Sequence, residues 1–254
     1  MSKSTLRDDY KRFMTEMNER RKGSGIMIVG GTHFRREREK MQHSNYTLPK
    51  SSNECVDNVL YKGEECTIVS VKTKLLQSGY LQSFTISDNY IHGFVNILCE
   101  GVENPFNFTH MRSGHANDEE TSQFGVGFKA AAVASCNLLN VYTRVDNKFY
   151  KVVCDFNKMA NEEIAAFSFD PEFFEITEDE YRRNHMYETG STLEFEYVNS
   201  KVYSKTTFTD LNDHLHEKLS ECYGDIVKHN NFTIFVNNVV VKPELDYSEE
   251  PQCK

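Results

Sequence analysis

The sequence of 254 residues predicts an α+β fold. Three pairs of apolar runs joined by short turns indicate β-hairpins, which place their strands antiparallel. Between and around the hairpins, apolar residues recur at the spacing of amphipathic helices. A chain of this length is sufficient for one large domain or two small ones, with a substantial core.

Composition narrows the class of protein. No apolar run approaches membrane-spanning length, and the N-terminus lacks the apolar stretch of a signal peptide. We therefore expect an intracellular protein, cytoplasmic or nuclear, that does not contact membranes. The seven cysteines are odd in number and include no C-x-x-C pair, which predicts reduced thiols and no zinc site.

Charge is distributed unevenly along the chain. The net charge is −9, yet residues 1–50 carry 12 Lys and Arg against 6 Asp and Glu. We expect a basic N-terminal arm over 1–45, a folded body over 46–243 and an acidic tail over 244–254. Two interpretations of the arm are open: a solvated helix face, or a contact with nucleic acid or a protein partner.

The first half of the chain alternates helical and extended patterns. Helices are predicted where apolar residues fall at helical spacing, and Ser51, Ser52 or Asn53 is a candidate N-cap for one of them. The elements predicted in order are a helix over 4–22, a short apolar run over 26–29, a charged helical stretch over 34–42, a loop over 43–52, a helix over 53–61 and a hairpin of 67–76 with 81–87.

The second half continues with hairpins that turn at Asp146-Asn147 and at Asn237-Asn238. Alternation predicts one further strand, with Leu193, Phe195 and Tyr197 on a single face. The elements predicted in order are a hairpin of 140–145 with 149–156, a mixed, charged segment over 157–188, a strand over 190–197, a helix over 208–223 and a hairpin within 232–241.

Glu54 and Asn58 are four residues apart on the predicted helix 53–61, so their side chains project from one face. A carboxylate in this place is able to orient or deprotonate a water molecule, and an amide oxygen is able to ligate a hard cation such as Mg²⁺. The same pair is also common on solvent-exposed helix faces, and the sequence leaves both interpretations open.

Asp88 follows the predicted strand 81–87 and precedes a loop that contains Gly93. An acidic side chain at a strand end is well placed to accept a hydrogen bond from the amino group of a ligand. The alternative interpretation is a turn formed by Asp88 and Asn89, which is a frequent role of these residue types.

The segment Gln123-Phe-Gly-Val-Gly-Phe-Lys129 opens a run of small, helix-forming residues. Glycines let a backbone approach phosphates, and a helix N-terminus offers free N–H groups and a partial positive charge. Lys129 adds a full positive charge. The polar segment over 112–120 that precedes the motif has the character of a lid. The same glycines also fit a tight turn into a buried helix.

The order of these motifs resembles that of the GHKL (Bergerat-fold) ATPases, which include gyrase B, heat-shock-90 chaperones, histidine kinases and microrchidia ATPases. Gln123-Phe-Gly-Val-Gly-Phe128 is similar to the glycine motif of heat-shock-90 chaperones, and Lys129-Ala130 to the microrchidia version. Arg112-Ser-Gly114 resembles the Ser-Gly of the heat-shock-90 lid. The resemblance covers residues 50–200, where the family pattern Asp-x-Gly-x-Gly is replaced by Asp88-Asn-Tyr-Ile-His-Gly93.

The resemblance implies a role for each matching position. Glu54 would be the general base that activates water, and Asn58 would bind Mg²⁺ together with the nucleotide. Asp88 would hold the adenine amino group, supported by Thr192 and by the loop at Gly93. The remaining implied nucleotide contacts are Ser113 and Gly114 in the lid, and Gly125, Val126, Gly127, Phe128 and Lys129 at the phosphates.

The resemblance also implies a two-layer α/β sandwich, in which a mixed, mostly antiparallel sheet carries helices on one face and ATP lies between the layers. It implies Mg²⁺-dependent ATP binding and slow hydrolysis by the domain 46–243, driving lid closure and ATP-dependent homodimerisation. Two alternatives stay open: a nucleotide-binding or degenerate interaction module on the same fold, and a nucleic-acid-associated protein that acts through the arm.

Overall fold

The computed structural model describes residues 28–29, 35–36, 38–40, 42, 47–60, 65–94, 97, 106, 127–161, 164–165, 172–199 and 208–243. The helices with defined bounds in these ranges are α1 Leu48–Leu60, α2 Gly127–Ser135, α3 Phe156–Asn161, α4 Glu178–Asn184 and α5 Phe208–His229. The strands are β1 Ile28–Val29, β2 Ile68–Leu75, β3 Leu81–Asp88, β4 Leu138–Val145, β5 Lys148–Asp155, β6 Ile164–Ala165, β7 Glu172–Ile176, β8 Ser191–Glu196, β9 Thr233–Val236 and β10 Val239–Val240. The predicted helix 4–22 and the tail 244–254 lie outside the described residues.

One eight-stranded sheet organises the fold, in the order β10-β9-β2-β3-β8-β4-β5-β7. Strands β2 and β9 are parallel, and the other neighbours in this sheet are antiparallel. Strands β1 and β6 form a separate antiparallel pair. The predicted α+β class with a mixed, mostly antiparallel sheet is therefore confirmed.

The predicted hairpins turn where the sequence indicated. Asp146 and Asn147 have φ angles of 50° and 60°, and Asn237 and Asn238 have 48° and 68°. These left-handed conformations suit two-residue turns, whose twist matches that of the paired strands. The Asn237 side chain also accepts a hydrogen bond of 2.9 Å from the Thr73 N–H, which ties the last hairpin to β2.

The main core lies between one face of the sheet and helices α1, α2 and α5. Phe84 of β3 and Phe195 of β8 stack with their ring centroids 4.2 Å apart, and both are buried in this core. Helix α5 inserts Leu211, Leu215 and Leu219 into the core, each fully buried. Helix α4 differs, because its Tyr181 packs with Tyr142 and Ile176 in a separate cluster on the other face.

Helix α1 begins earlier than the sequence predicted. Thr47 is its N-cap, since the Lys50 N–H donates to Thr47 Oγ1 at 3.4 Å and the Ser51 N–H donates to the Thr47 carbonyl at 2.9 Å. Pro49 is tolerated because the first turn of a helix does not need its N–H. The predictions of a loop through residue 52 and of a cap at Ser51, Ser52 or Asn53 were therefore wrong.

The mixed, charged segment 157–188 contains most of α3, together with β6, β7 and α4. Helix α4 has a clear start signal that sequence reasoning passed over: Thr177 accepts a hydrogen bond of 3.2 Å from the Glu180 N–H. Three acidic residues in the first turn also complement the helix dipole. Tyr197 is a second correction, because its φ of 53° ends β8 and leaves the side chain 65% exposed instead of facing the core.

Two described arginines within residues 1–45, the predicted basic arm, contact residues around α3. Arg38 is buried, and its guanidinium donates to Asn157 Oδ1 at 2.9 Å, to the Cys136 carbonyl at 3.1 Å and to Asn137 Oδ1. Arg35 donates to the Ala160 carbonyl at 3.2 Å. These two charges therefore bind the region around α3.

Two general expectations concern membranes and thiols. Among the described residues, no helix combines the length and the apolar character needed to cross a bilayer. The described cysteines, at positions 55, 66, 136, 154 and 222, are reduced thiols.

Candidate functional site

The predicted base lies directly against the glycine motif. A Cβ atom placed on Gly127, the first residue of α2, would lie 1.9 Å from Glu54 Oε2 and 2.9 Å from Glu54 Cδ. Only glycine therefore leaves room for the Glu54 carboxylate at this point. The structure brings a carboxylate from α1 to the N-terminus of α2, where helix N–H groups favour negative charge.

Contacts near both ends of α2 hold this helix in place, and one of them joins it to α1. Ser51 Oγ and Ser135 Oγ are hydrogen bonded at 2.7 Å, and both residues are fully buried. At the other end of α2, the ring of Phe128 packs edge-on against Phe94 and Phe106, with centroids 5.9 and 6.0 Å away. The position of Gly127 is thus fixed from both ends of its helix.

The environment of Glu54 raises the pKa of its carboxyl group and so makes the carboxylate a stronger base. Burial raises the pKa of its carboxyl group above the ordinary value, the negative charge of Asp57 raises it further, and Lys50 lowers it. Desolvation disfavours the charged form of a carboxyl group, so this carboxylate binds a proton more readily than an exposed one. A base with a pKa closer to neutrality removes a proton from water more effectively.

Asn58 lies one turn after Glu54. Its Nδ2 donates to the Glu54 carbonyl at 2.8 Å, which orients the amide and turns Oδ1 away from the helix backbone. Asp57, which sequence reasoning missed, accepts a hydrogen bond of 2.8 Å from the Tyr223 hydroxyl of α5. That hydrogen bond joins α1 to α5. The sequence alone did not reveal it, because Tyr223 is 166 residues away from Asp57 along the chain.

Asp88 is the second charged group of the site. Burial raises the pKa of its carboxyl group to about 7, an effect opposed by the backbone N–H groups of Tyr90, Ser191 and Asp88 itself. The Tyr90 N–H donates to Asp88 Oδ1 at 2.9 Å. The carboxyl group is therefore held in a fixed orientation by backbone donors.

Cys55 connects Glu54 with Asp88 electrostatically. Burial is the main cause that raises the pKa of its thiol, and the charges of Glu54 and Asp88 raise it further. The two carboxyl groups therefore act on one thiol between α1 and β3. The Asp88 carboxyl group on β3 is therefore close to Cys55, the residue next to Glu54 on α1.

The loop after Asp88 is well anchored despite its departure from the family pattern. Asn89 Oδ1 accepts hydrogen bonds of 2.9 Å from the Thr67 and Ile68 N–H groups. Gly93 has a φ of +59°, and a Cβ there would lie 2.2 Å from the Arg144 carbonyl oxygen, so the predicted glycine is required for packing. His92 is exposed, with Nε2 3.5 Å from Glu65 Oε1.

Thr192 does not occupy the predicted position beside Asp88. Asp88 shares a face with Ile86 and the main core, whereas Thr192 lies on the opposite face, hydrogen bonded to Ser87 at 2.8 Å. Ser191 is the residue of β8 on the Asp88 side, and its hydroxyl is 2.8 Å from Thr143 Oγ1. Alternation with buried Leu193 was the sequence signal that distinguishes the two residues.

Several predicted contacts lie outside the described residues. These are Ser113 and Gly114 of the predicted lid, Gly125 and Val126 of the glycine motif, and the side chain of Lys129. The predicted site residues that the structure describes are Glu54, Asn58, Asp88, Gly93, Gly127, Phe128 and Thr192. Ser191, and not Thr192, lies on the Asp88 side of the sheet.

Comparison with solved structures shows that the fold is a known one. The ATPase region of Saccharomyces cerevisiae topoisomerase II aligns with a TM-score of 0.50 at 14% sequence identity, over 77% of this chain and 49% of that chain. The chain shares the Bergerat fold of that region. It spans about half the length of the solved chains it matches.

Two further structures align at 13% identity over 77% of this chain, each with a TM-score of 0.49. One is the same yeast region bound to ICRF-187 (dexrazoxane), of which 49% is covered. The other comprises the ATPase and transducer domains of DNA topoisomerase II from Balamuthia mandrillaris, of which 48% is covered. No protein-family model and no curated protein matches the sequence of this chain.

Gly190 packs beneath Asp88 and gives a stability prediction. Its φ is +112°, and a Cβ would lie 2.0 Å from the Asp88 carbonyl oxygen. We expect Gly190→Ala to lower the free energy of unfolding by about 2–4 kcal/mol, because it adds backbone strain to a steric clash. Gly79→Ala, at a φ of 85° in the first hairpin, should cost only about 1 kcal/mol. Urea unfolding measures the loss of free energy of unfolding in both variants. Equal losses would contradict the close packing at Gly190.

Proposed function

We propose that residues 46–243 form an ATP-binding domain that hydrolyses ATP slowly in a Mg²⁺-dependent reaction. One observation carries this proposal: the Glu54 carboxylate lies against Gly127 at the start of α2. A general base is thereby placed next to a helix N-terminus that suits phosphate binding. The fold that the chain shares with the ATPase region of yeast topoisomerase II also supports the proposal.

The residues present fit a magnesium ion. Mg²⁺ prefers oxygen ligands and keeps several of its waters, so one amide oxygen beside the phosphates is sufficient from the protein. Asn58 offers Oδ1, since its Nδ2 is engaged with the Glu54 carbonyl. When bound, the ion neutralises phosphate charge.

Hydrolysis requires a water molecule in line with the terminal phosphate. In the proposed step, Glu54 takes a proton from this water as its oxygen bonds to the γ-phosphorus, and the bond from that phosphorus to the β–γ bridging oxygen breaks. ADP and phosphate leave, and the proton on Glu54 returns to solvent. The backbone N–H groups of 125–129 would hold the phosphate charge during the reaction.

The nucleobase end relies on Asp88. Its carboxylate would accept a hydrogen bond from the adenine amino group, with Ser191 on the same sheet face. Closure of a lid that includes Ser113 and Gly114, and ATP-dependent dimerisation, belong to the same proposal. The motif 123–129 further supports kinship with heat-shock-90 chaperones and microrchidia ATPases.

The direct test is release of phosphate from ATP by the purified chain, with Mg²⁺ and with excess chelator, while light scattering records the molecular mass. We expect slow turnover that requires Mg²⁺, and dimers in the presence of a non-hydrolysable ATP analogue. Turnover that is unchanged by the chelator would refute the Mg²⁺-dependent mechanism. No turnover with intact ATP binding would favour the alternative of a nucleotide-binding module.

Gly127→Ala tests the position of the base. The new Cβ would displace the end of the Glu54 side chain, which is flexible enough to move without unfolding the protein. We expect turnover to fall by about 100-fold, because displacing a catalytic group by about 1 Å has an effect of that size. The thermal midpoint should not fall, since alanine is the better helix former. Turnover at the wild-type rate would show that this contact is not part of the reaction.

A further inference from the structure

A chain of buried polar groups lies on the sheet face opposite the nucleotide site. It consists of His185, Thr192 and Ser87, which are 3%, 2% and 6% exposed. His185 Nδ1 is 2.9 Å from Thr192 Oγ1, and Thr192 Oγ1 is 2.8 Å from Ser87 Oγ. The proposed function gives these groups no role.

The donor and the acceptor of each hydrogen bond among His185, Thr192 and Ser87 follow from the contact that His185 makes with Thr189. His185 Nε2 is 2.8 Å from the Thr189 carbonyl oxygen, which only accepts hydrogen bonds. Nε2 therefore carries the proton, and in the neutral ring Nδ1 accepts from the Thr192 hydroxyl. Because Thr192 has a single proton, Ser87 must donate to Thr192. Burial supports the neutral ring, since it lowers the pKa of His185 to about 4.

Residues 189–191, which follow the His185 contact, pack against Asp88 and Asn89. The Thr189 hydroxyl donates to the Asn89 carbonyl at 3.2 Å. Gly190 follows, with its Cα against the Asp88 carbonyl, and the Tyr181 hydroxyl donates to the Gly190 carbonyl at 3.0 Å. Ser191 comes next, and its N–H is one of the donors that stabilise the ionised Asp88.

We propose that His185 is a positioning residue, which holds the turn 189–191 through the Thr189 carbonyl and so fixes the Ser191 N–H against the Asp88 carboxylate. It acts from the far side of the sheet and does not touch the nucleotide. The effect on nucleotide affinity rests on the proposed function, whereas the effect on Asp88 itself does not.

Three substitutions of His185 form a matched set of variants. His185→Gln keeps an amide N–H where Nε2 donates to Thr189, and His185→Asn keeps only an acceptor near Nδ1 for Thr192. His185→Phe removes both contacts while retaining a planar ring. Because the proposal assigns the effect to the Thr189 contact, the glutamine variant should behave as wild type and the asparagine variant should behave as the phenylalanine variant.

The first readout is the titration of the Asp88 carboxyl carbon by NMR in the folded proteins without nucleotide. Loss of a backbone donor disfavours a carboxylate, so the pKa of Asp88 should rise in the asparagine and phenylalanine variants and stay at the wild-type value in the glutamine variant. Equal pKa values in the glutamine and asparagine variants would overturn the proposal, even if His185→Phe does not fold.

The second readout is ATP affinity by calorimetry in the wild-type and Asp88→Asn backgrounds. We expect His185→Asn to weaken binding by about tenfold in the wild-type background, and to have no further effect once Asp88 is replaced. Additive losses would overturn a role through Asp88. If the wild-type chain binds no ATP, the proposed function fails, while the NMR titration still decides the positioning role.

Discussion

Glu54→Gln is expected to abolish ATP turnover and to leave nucleotide binding intact. Glutamine preserves the size of the side chain but cannot take a proton from water, and general bases contribute about 10²–10⁴-fold to rates. We therefore expect phosphate release to fall by at least ~100-fold, with an unchanged affinity for a non-hydrolysable ATP analogue. Glu217→Gln, at an exposed position on α5, is the matched control and should turn over normally.

The pH dependence of turnover identifies the base more specifically. Burial and the charge of Asp57 raise the pKa of Glu54, so the rate should increase with pH as this group loses its proton, with a midpoint above the usual range of a glutamic acid. The dependence should be absent from the residual rate of Glu54→Gln. The assignment fails if that variant keeps the wild-type rate or the wild-type pH profile.

Asp88→Asn is expected to weaken nucleotide binding strongly. The carboxylate offers only acceptors, whereas an amide whose oxygen accepts from the Tyr90 N–H turns its NH₂ group toward the amino group of adenine. Two facing donors leave a buried polar group unpaired, so we expect affinity to fall by at least about 100-fold. Calorimetric titration with ADP measures the loss, and Asp213→Asn on the exposed side of α5 should bind as wild type.

The same substitution should raise stability at alkaline pH. The pKa of Asp88 rises from 3.8 in the unfolded chain to about 7 in the folded protein, so between these values the folded state holds a proton that the unfolded state has lost. The free energy of unfolding therefore decreases as the pH rises from 4 to 7. Removing the ionisable group should recover about 1–3 kcal/mol at pH 8. Urea unfolding at pH 5 and pH 8 measures this gain, and a loss of stability at pH 8 would contradict the burial of Asp88.

Local patterns in the sequence predicted much of the fold. The turns at Asp146-Asn147 and Asn237-Asn238 specify their hairpins, and the spacing of Leu211, Leu215 and Leu219 specifies the buried face of α5. The start of α1 was not predicted because polar residues around Pro49 are typical of a loop, whereas Thr47 caps a helix that holds Pro49 in its first turn. The parallel pairing of β9 with β2 depends on residues far apart in the chain, so no local pattern reveals it.

The site was predictable where a motif fixes the backbone. Glu54 and Gly127 were chosen from separate motifs, and the structure places them in contact. Thr192 was predicted from the family resemblance, but the alternation of β8 turns it away from Asp88 and puts Ser191 on the Asp88 side of the sheet. Tyr223 and His185 act through tertiary contacts with Asp57 and Thr189, which sequence spacing does not encode.

Binding of a non-hydrolysable ATP analogue to the wild-type chain, measured by calorimetry with and without Mg²⁺, tests the central claim most directly. The claim is that the space between α1, α2 and β3 is a nucleotide site. We expect one molecule bound per chain, with an affinity that increases when Mg²⁺ is present, because Asn58 and the phosphates share the ion. Absence of binding at millimolar nucleotide, by a chain that unfolds cooperatively, would contradict the proposed ATPase and leave only the fold established.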